Sequence, residues 1–97
     1  MIGFPAVRQD LAFTVPESVT ARELADAMRT AAGSELREVA VFDEYRSPEL
    51  GEGRKSVAFS VAYQSSERTL TEEDAARLRD AIVAALGERF GAELRAG

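Results

Sequence analysis

The segment Val41–Ser60, VFDEYRSPELGEGRKSVAFS, reads as two β-strands with a loop between them. In its second half Val57 and Phe59 alternate with Ser56, Ala58 and Ser60, and Val61 and Tyr63 carry the alternation on past Ala62. That period of two is a β-strand with one apolar face and one small, polar face. Upstream, Arg46–Arg54 holds Pro48, Gly51 and Gly53, all turn formers. Before it, Leu36–Tyr45 reads as another strand, but its phase is ambiguous, because Val39, Val41 and Phe42 are not all of one parity. An edge strand with a bulge reconciles them. The segment is therefore a hairpin joined by a long loop.

Working outward, VRQDLAFTV (Val7–Val15) places Val7, Gln9, Leu11 and Phe13 on one face of a first strand bracketed by Pro5 and Pro16. Between this strand and the hairpin, VTARELADAMRTAAG (Val19–Gly33) has the punctuation of a helix. Thr20 and Glu23 form a capping box, and Val19 and Leu24 are spaced as a hydrophobic staple. Leu24, Ala27, Met28 and Ala31 keep the helical period, and Gly33 stands where the chain must leave it. After the hairpin, Thr71 caps a second helix whose first turn carries Glu72, Glu73 and Asp74, suited to the positive end of the dipole. Leu78, Ile82, Ala85, Leu86 and Phe90 form its buried stripe, and Gly87 weakens its last turn. AELRAG, after Gly91, is long enough for a short edge strand.

The order is β-α-β-β-α-β, the split-βαβ or ferredoxin-like arrangement of the α+β class. It predicts a four-stranded antiparallel sheet with both helices on one face, because right-handed crossovers bring them to the same side. The opposite face is left open. A chain of 97 residues makes one domain, with residues 1–4 read as a linker remnant.

Composition narrows the chemistry. The chain contains no histidine, cysteine or tryptophan. Ser-His-Asp and Cys-His catalysis, thiolate metal sites and disulfides are thereby excluded. No catalytic spacing is visible among the remaining carboxylates, hydroxyls and cations. No apolar run approaches the roughly 18 residues needed to span a bilayer, so a cytoplasmic protein without a membrane partner is expected. A net charge of −5 argues against strong, nonspecific binding to DNA or RNA, yet leaves room for a small specific contact.

The fold alone does not decide function. Phe13, Phe59 and Tyr63 share the core parity, so the exposed aromatics of an RNA-recognition motif are missing. A freestanding ferredoxin-like domain for small-molecule regulation or protein interaction stays open as the alternative.

The runs FPAVRQDLAF (Phe4–Phe13), VFDEYRSPELGEGRKSVAFSVAYQSSERTLTEED (Val41–Asp74) and RFGAELR (Arg89–Arg95) resemble the ferredoxin-fold anticodon-binding domain that closes the β subunit of bacterial phenylalanyl-tRNA synthetase. They lie in order and span nearly the whole chain. Gln9 departs slightly, since many relatives carry a second basic residue there. The resemblance implies a domain that grips the anticodon loop of tRNA(Phe) and reads its first base, a guanine. Aminoacylation, with its ATP and magnesium, falls to other domains of an α2β2 ligase, and no cofactor is implied here. The residues matching the family's recognition positions are Asp43, Tyr45, Ser56 and Arg95.

Physical chemistry agrees with that assignment. An unstacked guanine offers N1–H and N2–H2 along its Watson–Crick edge, and the Asp43 carboxylate can accept both. Tyr45 supplies a ring for stacking, Ser56 a short hydroxyl, and Ala58 and Ser60 leave room for a base. Each residue alone has a plainer reading: a solvated turn acid, an edge aromatic, a polar surface serine. Arg8, Arg46, Arg54 and Lys55 are candidate phosphate contacts. Arg68 is one as well, although a structural bond at the second helix cap competes for it.

Overall fold

In the computed structural model, which describes residues 4–96, Thr20 and Thr71 each open a helix through a reciprocal capping box. Thr20 Oγ1 accepts from the Glu23 N–H at 3.1 Å, and Glu23 Oε1 accepts from the Thr20 N–H at 3.0 Å. Helix α1 then runs Ala21–Ala32. Helix α2, Glu72–Phe90, starts the same way with Asp74 in the glutamate's place. Asp74 has further partners: Arg68 grips it with bonds of 2.8 and 3.1 Å, and Arg77 adds one at 3.0 Å. The Arg68 guanidinium, the Thr71 N–H and Arg77 hold its carboxyl well below the usual carboxylate range. Arg68 is thus the helix-cap residue that the competing reading described, rather than a free cation. Both helices end on glycines with positive φ, Gly33 at 78° and Gly91 at 69°, where a side chain would be strained.

Strands β1 (Val7–Pro16), β2 (Leu36–Tyr45), β3 (Arg54–Tyr63) and β4 (Glu93–Ala96) form one antiparallel sheet in the order β2-β3-β1-β4. Each crossover helix joins strands that flank an antiparallel neighbour, as the split-βαβ order requires. Pro16 closes β1 instead of lying outside it, and the pairing continues one step further through the Glu17 N–H to the Gly53 carbonyl at 2.8 Å. The linker reading of residues 1–4 falls mostly outside the described residues. Phe4 is described, and its carbonyl accepts from the Gln64 side chain.

The odd-numbered residues of β1 and β3 (Leu11, Phe13, Val15, Val57, Phe59, Val61 and Tyr63) are buried in one cluster with Leu24 and Met28 of α1 and Leu78, Ile82 and Leu86 of α2. Both helices therefore cover one face. Burial pushes the Tyr63 phenol up to about 12, and its hydroxyl donates to Gln9 Oε1 at 3.2 Å. The even-numbered residues lie on the face without helices.

Candidate nucleic-acid interface

Strand register sorts the open face into rows. Arg8, Ala62 and Glu38 lie side by side across β1, β3 and β2, followed by Asp10, Ser60 and Ala40. Next come Ala12, Ala58 and Asp43, then Thr14, Ser56 and Tyr45. Directly opposed residues share a face, so Asp43 and Tyr45 both point to the open side.

They do so because of one residue. Val39 and Val41 oppose Val61 and Phe59, on the helix side. Asp43 and Tyr45 have the same parity as those valines and would follow them. The register instead shifts between Val41 and Asp43, leaving Phe42 as the extra residue of a bulge. A slip of one residue transfers every later side chain to the other face. The ambiguous phase of this strand thus has a physical cause, since its two halves serve opposite faces. A second shift, between Leu36 and Glu38, sits at the other end.

Along a strand, Asp43 and Tyr45 lie about 7 Å apart. The Asp43 side chain is exposed and makes no hydrogen bond or ion pair among the described residues. Tyr45 is 40% exposed. Arg95 joins them from the far edge. The β1–β4 register steps from Phe13–Leu94 to Ala12–Ala96, so Arg95 is itself the extra residue of a bulge. Its Nη1 donates to the Tyr45 hydroxyl and, at 3.4 Å, to Ser56 Oγ. Its guanidinium carbon stands 5.8 Å from the Tyr45 ring centroid. The four expected recognition residues thus gather in two adjacent rows. Only Asp43 is without a partner.

The face is not as bare as the sequence suggests. Ser56 is 2% exposed and Thr14 is buried, although both have open-face register. Thr14 carried no sequence signal as part of this site. Its place emerges from the pairing of β1 with β3.

The cations divide. Arg8 stays on the open face, ion-paired across Ala62 with Glu38 at 3.1 Å, both side chains well exposed. Such a surface pair is worth at most about 1 kcal/mol. Arg46 is exposed but bound to Glu17 at 2.6 Å, with Glu44 at 3.7 Å. Arg54 is partly buried, donating to the Thr14 carbonyl at 3.2 Å. Lys55 corrects its expected role. It is 5% exposed, has the parity of Val57, and its Nζ meets Glu44 Oε2 at 3.2 Å on the helix side of the sheet. A phosphate on the open face cannot reach it there. Sequence reasoning missed Glu17 and Glu44 as the acids that engage these cations. Glu17 is remote from Arg46 in sequence, and the fold alone brings them together.

Among the described residues no group of three or more acids could hold a metal ion, and no helix is long and apolar enough to cross a membrane.

A four-stranded sheet with helices on one face, and with a ring, a carboxylate, a hydroxyl and a guanidinium gathered on the other, defines a ferredoxin-like α+β domain. Sequence comparison is more specific. The chain belongs to the ferredoxin-fold anticodon binding domain family, whose sequence model matches residues 3–95. It is 46% identical over 94 residues to the phenylalanine–tRNA ligase beta subunit of Corynebacterium jeikeium, covering 97% of this chain and 11% of that protein. The same subunit from Bifidobacterium longum is 48% identical over 93 residues, 96% of this chain and 11% of the relative. That from Bacillus licheniformis is 44% identical over 92 residues, 95% and 11% respectively. The chain therefore spans about a tenth of the length of the curated relatives it matches.

Proposed function

We propose that this chain is the anticodon-reading part of a phenylalanine–tRNA ligase beta subunit, and that its open sheet face takes the first anticodon base of tRNA(Phe), a guanine. The observation that carries the reading is the gathering of Asp43, Tyr45, Ser56 and Arg95 in two adjacent rows, with Asp43 left unpaired. Single-stranded loop bases are recognised by stacking on aromatic rings and by hydrogen bonds to their Watson–Crick edges. Tyr45 offers the ring. Asp43 offers two acceptor oxygens to the adjacent N1–H and N2–H2, a donor pair that adenine, cytosine and uracil lack. Ala12 and Ala58, in the Asp43 row, leave the base room to lie down.

Arg8 and Arg46, both exposed, are the cations best placed to exchange a surface carboxylate for an RNA phosphate. The domain needs no cofactor for this binding. Aminoacylation, with ATP and magnesium, would take place in other domains of a cytoplasmic α2β2 enzyme.

The test is a binding titration of the chain with tRNA(Phe) and with the same tRNA carrying another first anticodon base, at two salt concentrations. With net charge −5 and few free cations, binding should be weak and salt-sensitive. Guanine should be preferred by about 1–3 kcal/mol, the scale of one good bidentate base contact. Equal affinity for both tRNAs, or submicromolar affinity unchanged by doubling the salt, would contradict the reading.

A further inference from the structure

We infer that Arg95 is an internal stand-in for the guanine, a latch that closes the base site until a nucleobase displaces it. The inference rests on the reading of Asp43, Tyr45 and Ser56 as a guanine site. Arg95 starts from the bulge in β4 and reaches over β1 and β3 to Tyr45 on β2. On the way its Nη1 meets Ser56 Oγ, and its guanidinium carbon lies 5.8 Å from the Tyr45 ring centroid. Ser56, 2% exposed, cannot meet a ligand while that side chain lies across it.

The chemistry explains why this side chain fits. The Watson–Crick edge of guanine contains a planar CN3 unit, N1–C2(N2)–N3, with N–H groups pointing outward. An arginine head group is the same planar unit carrying a charge. Stacking on Tyr45 and donation to a hydroxyl oxygen are available to both. They cannot be satisfied by both at once.

Two observations make the latch displaceable. Arg95 is exposed, and no carboxylate pairs with it among the described residues, despite the 17 acids of the chain. Its hold is a cation–π contact, one long hydrogen bond and the Tyr45 hydroxyl. Asp43 is the acceptor the latch leaves unused. A guanine gains Asp43 in addition to the Tyr45 ring, so it has a bond with which to displace the latch. A base without the N1–H and N2–H2 pair offers Asp43 at most one donor group. Once released, the cation is free to meet the phosphate of the incoming nucleotide.

A latch of this kind reduces the affinity of every base by one factor, the fraction of molecules in which it is open. That gives a distinctive test. Guanosine and adenosine, which carry no phosphate, are titrated by NMR into the 15N-labelled chain and into its Arg95→Ala and Arg95→Lys variants, following Ser56 and Tyr45. Arg95→Ala should bind both nucleosides tighter by about three- to tenfold and by the same factor, the scale of the contacts removed. Arg95→Lys, which keeps the charge but loses the planar fork, should also bind both tighter. If guanosine shifts Ser56 and Tyr45 but binds the two variants no tighter than the original chain, the latch is refuted and the base site stands. If guanosine shifts neither residue in any of the three proteins, the base reading falls and the latch with it.

Discussion

Deleting Phe42 should straighten β2 and leave its two principal readers on the open face. With the extra residue of the bulge gone, Val41 and Asp43 become consecutive and still oppose Phe59 and Ala58, so they alternate across the sheet without any slip. Leu36 is 6% exposed and Val39 packs against the core, which holds the first half of the strand in that register. Turning those two outward would forfeit on the order of 2–5 kcal/mol of burial, at about 1.5–3 kcal/mol for a fully buried Leu and less for a partly buried Val. In the second half Glu44 keeps its bond to buried Lys55. The deleted ring is itself 59% exposed, so little burial is lost with it. Stacking is worth about 1–3 kcal/mol per base and a bidentate edge contact about 1–3 kcal/mol, so a slip that turned Tyr45 and Asp43 away would lower affinity for tRNA(Phe) by about 2–6 kcal/mol, whereas the straightened strand should lose less than about 1 kcal/mol. The assay pairs a tRNA titration with circular dichroism and with an NMR search for contact between Arg95 and the Tyr45 ring. A folded deletion variant that loses its affinity, its preference for guanine and the Arg95–Tyr45 contact together would refute the register that places Asp43 and Tyr45 on the open face.

Tyr45→Ala should weaken tRNA binding by about 1–3 kcal/mol while Tyr45→Phe keeps most of the affinity, since the ring does the stacking; equal damage from both in the same titration would transfer the role to the hydroxyl. Thr20→Ala removes the acceptor of the Glu23 N–H, which should lower stability by about 1 kcal/mol and the melting temperature by about 4–8 °C in a scanning measurement. Asp74→Asn should lower the melting temperature at neutral pH. Because the folded-state carboxyl titrates below its unfolded value of about 3.9, that stabilisation is complete above that value and fades as pH falls below it. The gap between variant and original melting temperatures should therefore narrow below about pH 4, and a constant gap down to strong acid would refute the assignment.

The fold was legible because its signals are local. Both capping boxes, the alternation of Val57 through Tyr63 and the glycine stops each lie within a few residues of what they control. The candidate site's residues could be named from the family resemblance, but not the contacts they make. Asp43, Tyr45, Ser56 and Arg95 could be named, and the bulge in β2 could be expected from its broken phase. That Arg95 lies over Ser56 could not be foreseen, because the contact spans 39 positions and depends on the register of three strand pairs. The same limit explains Lys55. Its neighbours Arg54 and Ser56 face the open side, and strand parity already placed Lys55 opposite them, but the basic cluster Arg46, Arg54 and Lys55 masked that parity. Glu44, the acid that holds it, comes from the adjoining strand.

Whether Asp43 reads a guanine can be measured directly. The measurement is a double-mutant cycle: the original chain and Asp43→Asn, each titrated with tRNA(Phe) and with the same tRNA carrying another first anticodon base. Asparagine keeps the size of the side chain but replaces one acceptor oxygen with a donor group, so it cannot accept N1–H and N2–H2 together. Asp43→Asn should lose about 1–3 kcal/mol on the guanine tRNA and change little on the other, a coupling of the same size. An equal drop on both tRNAs would make Asp43 a support of the sheet edge, and no drop on either would place the reading of the base elsewhere on the open face.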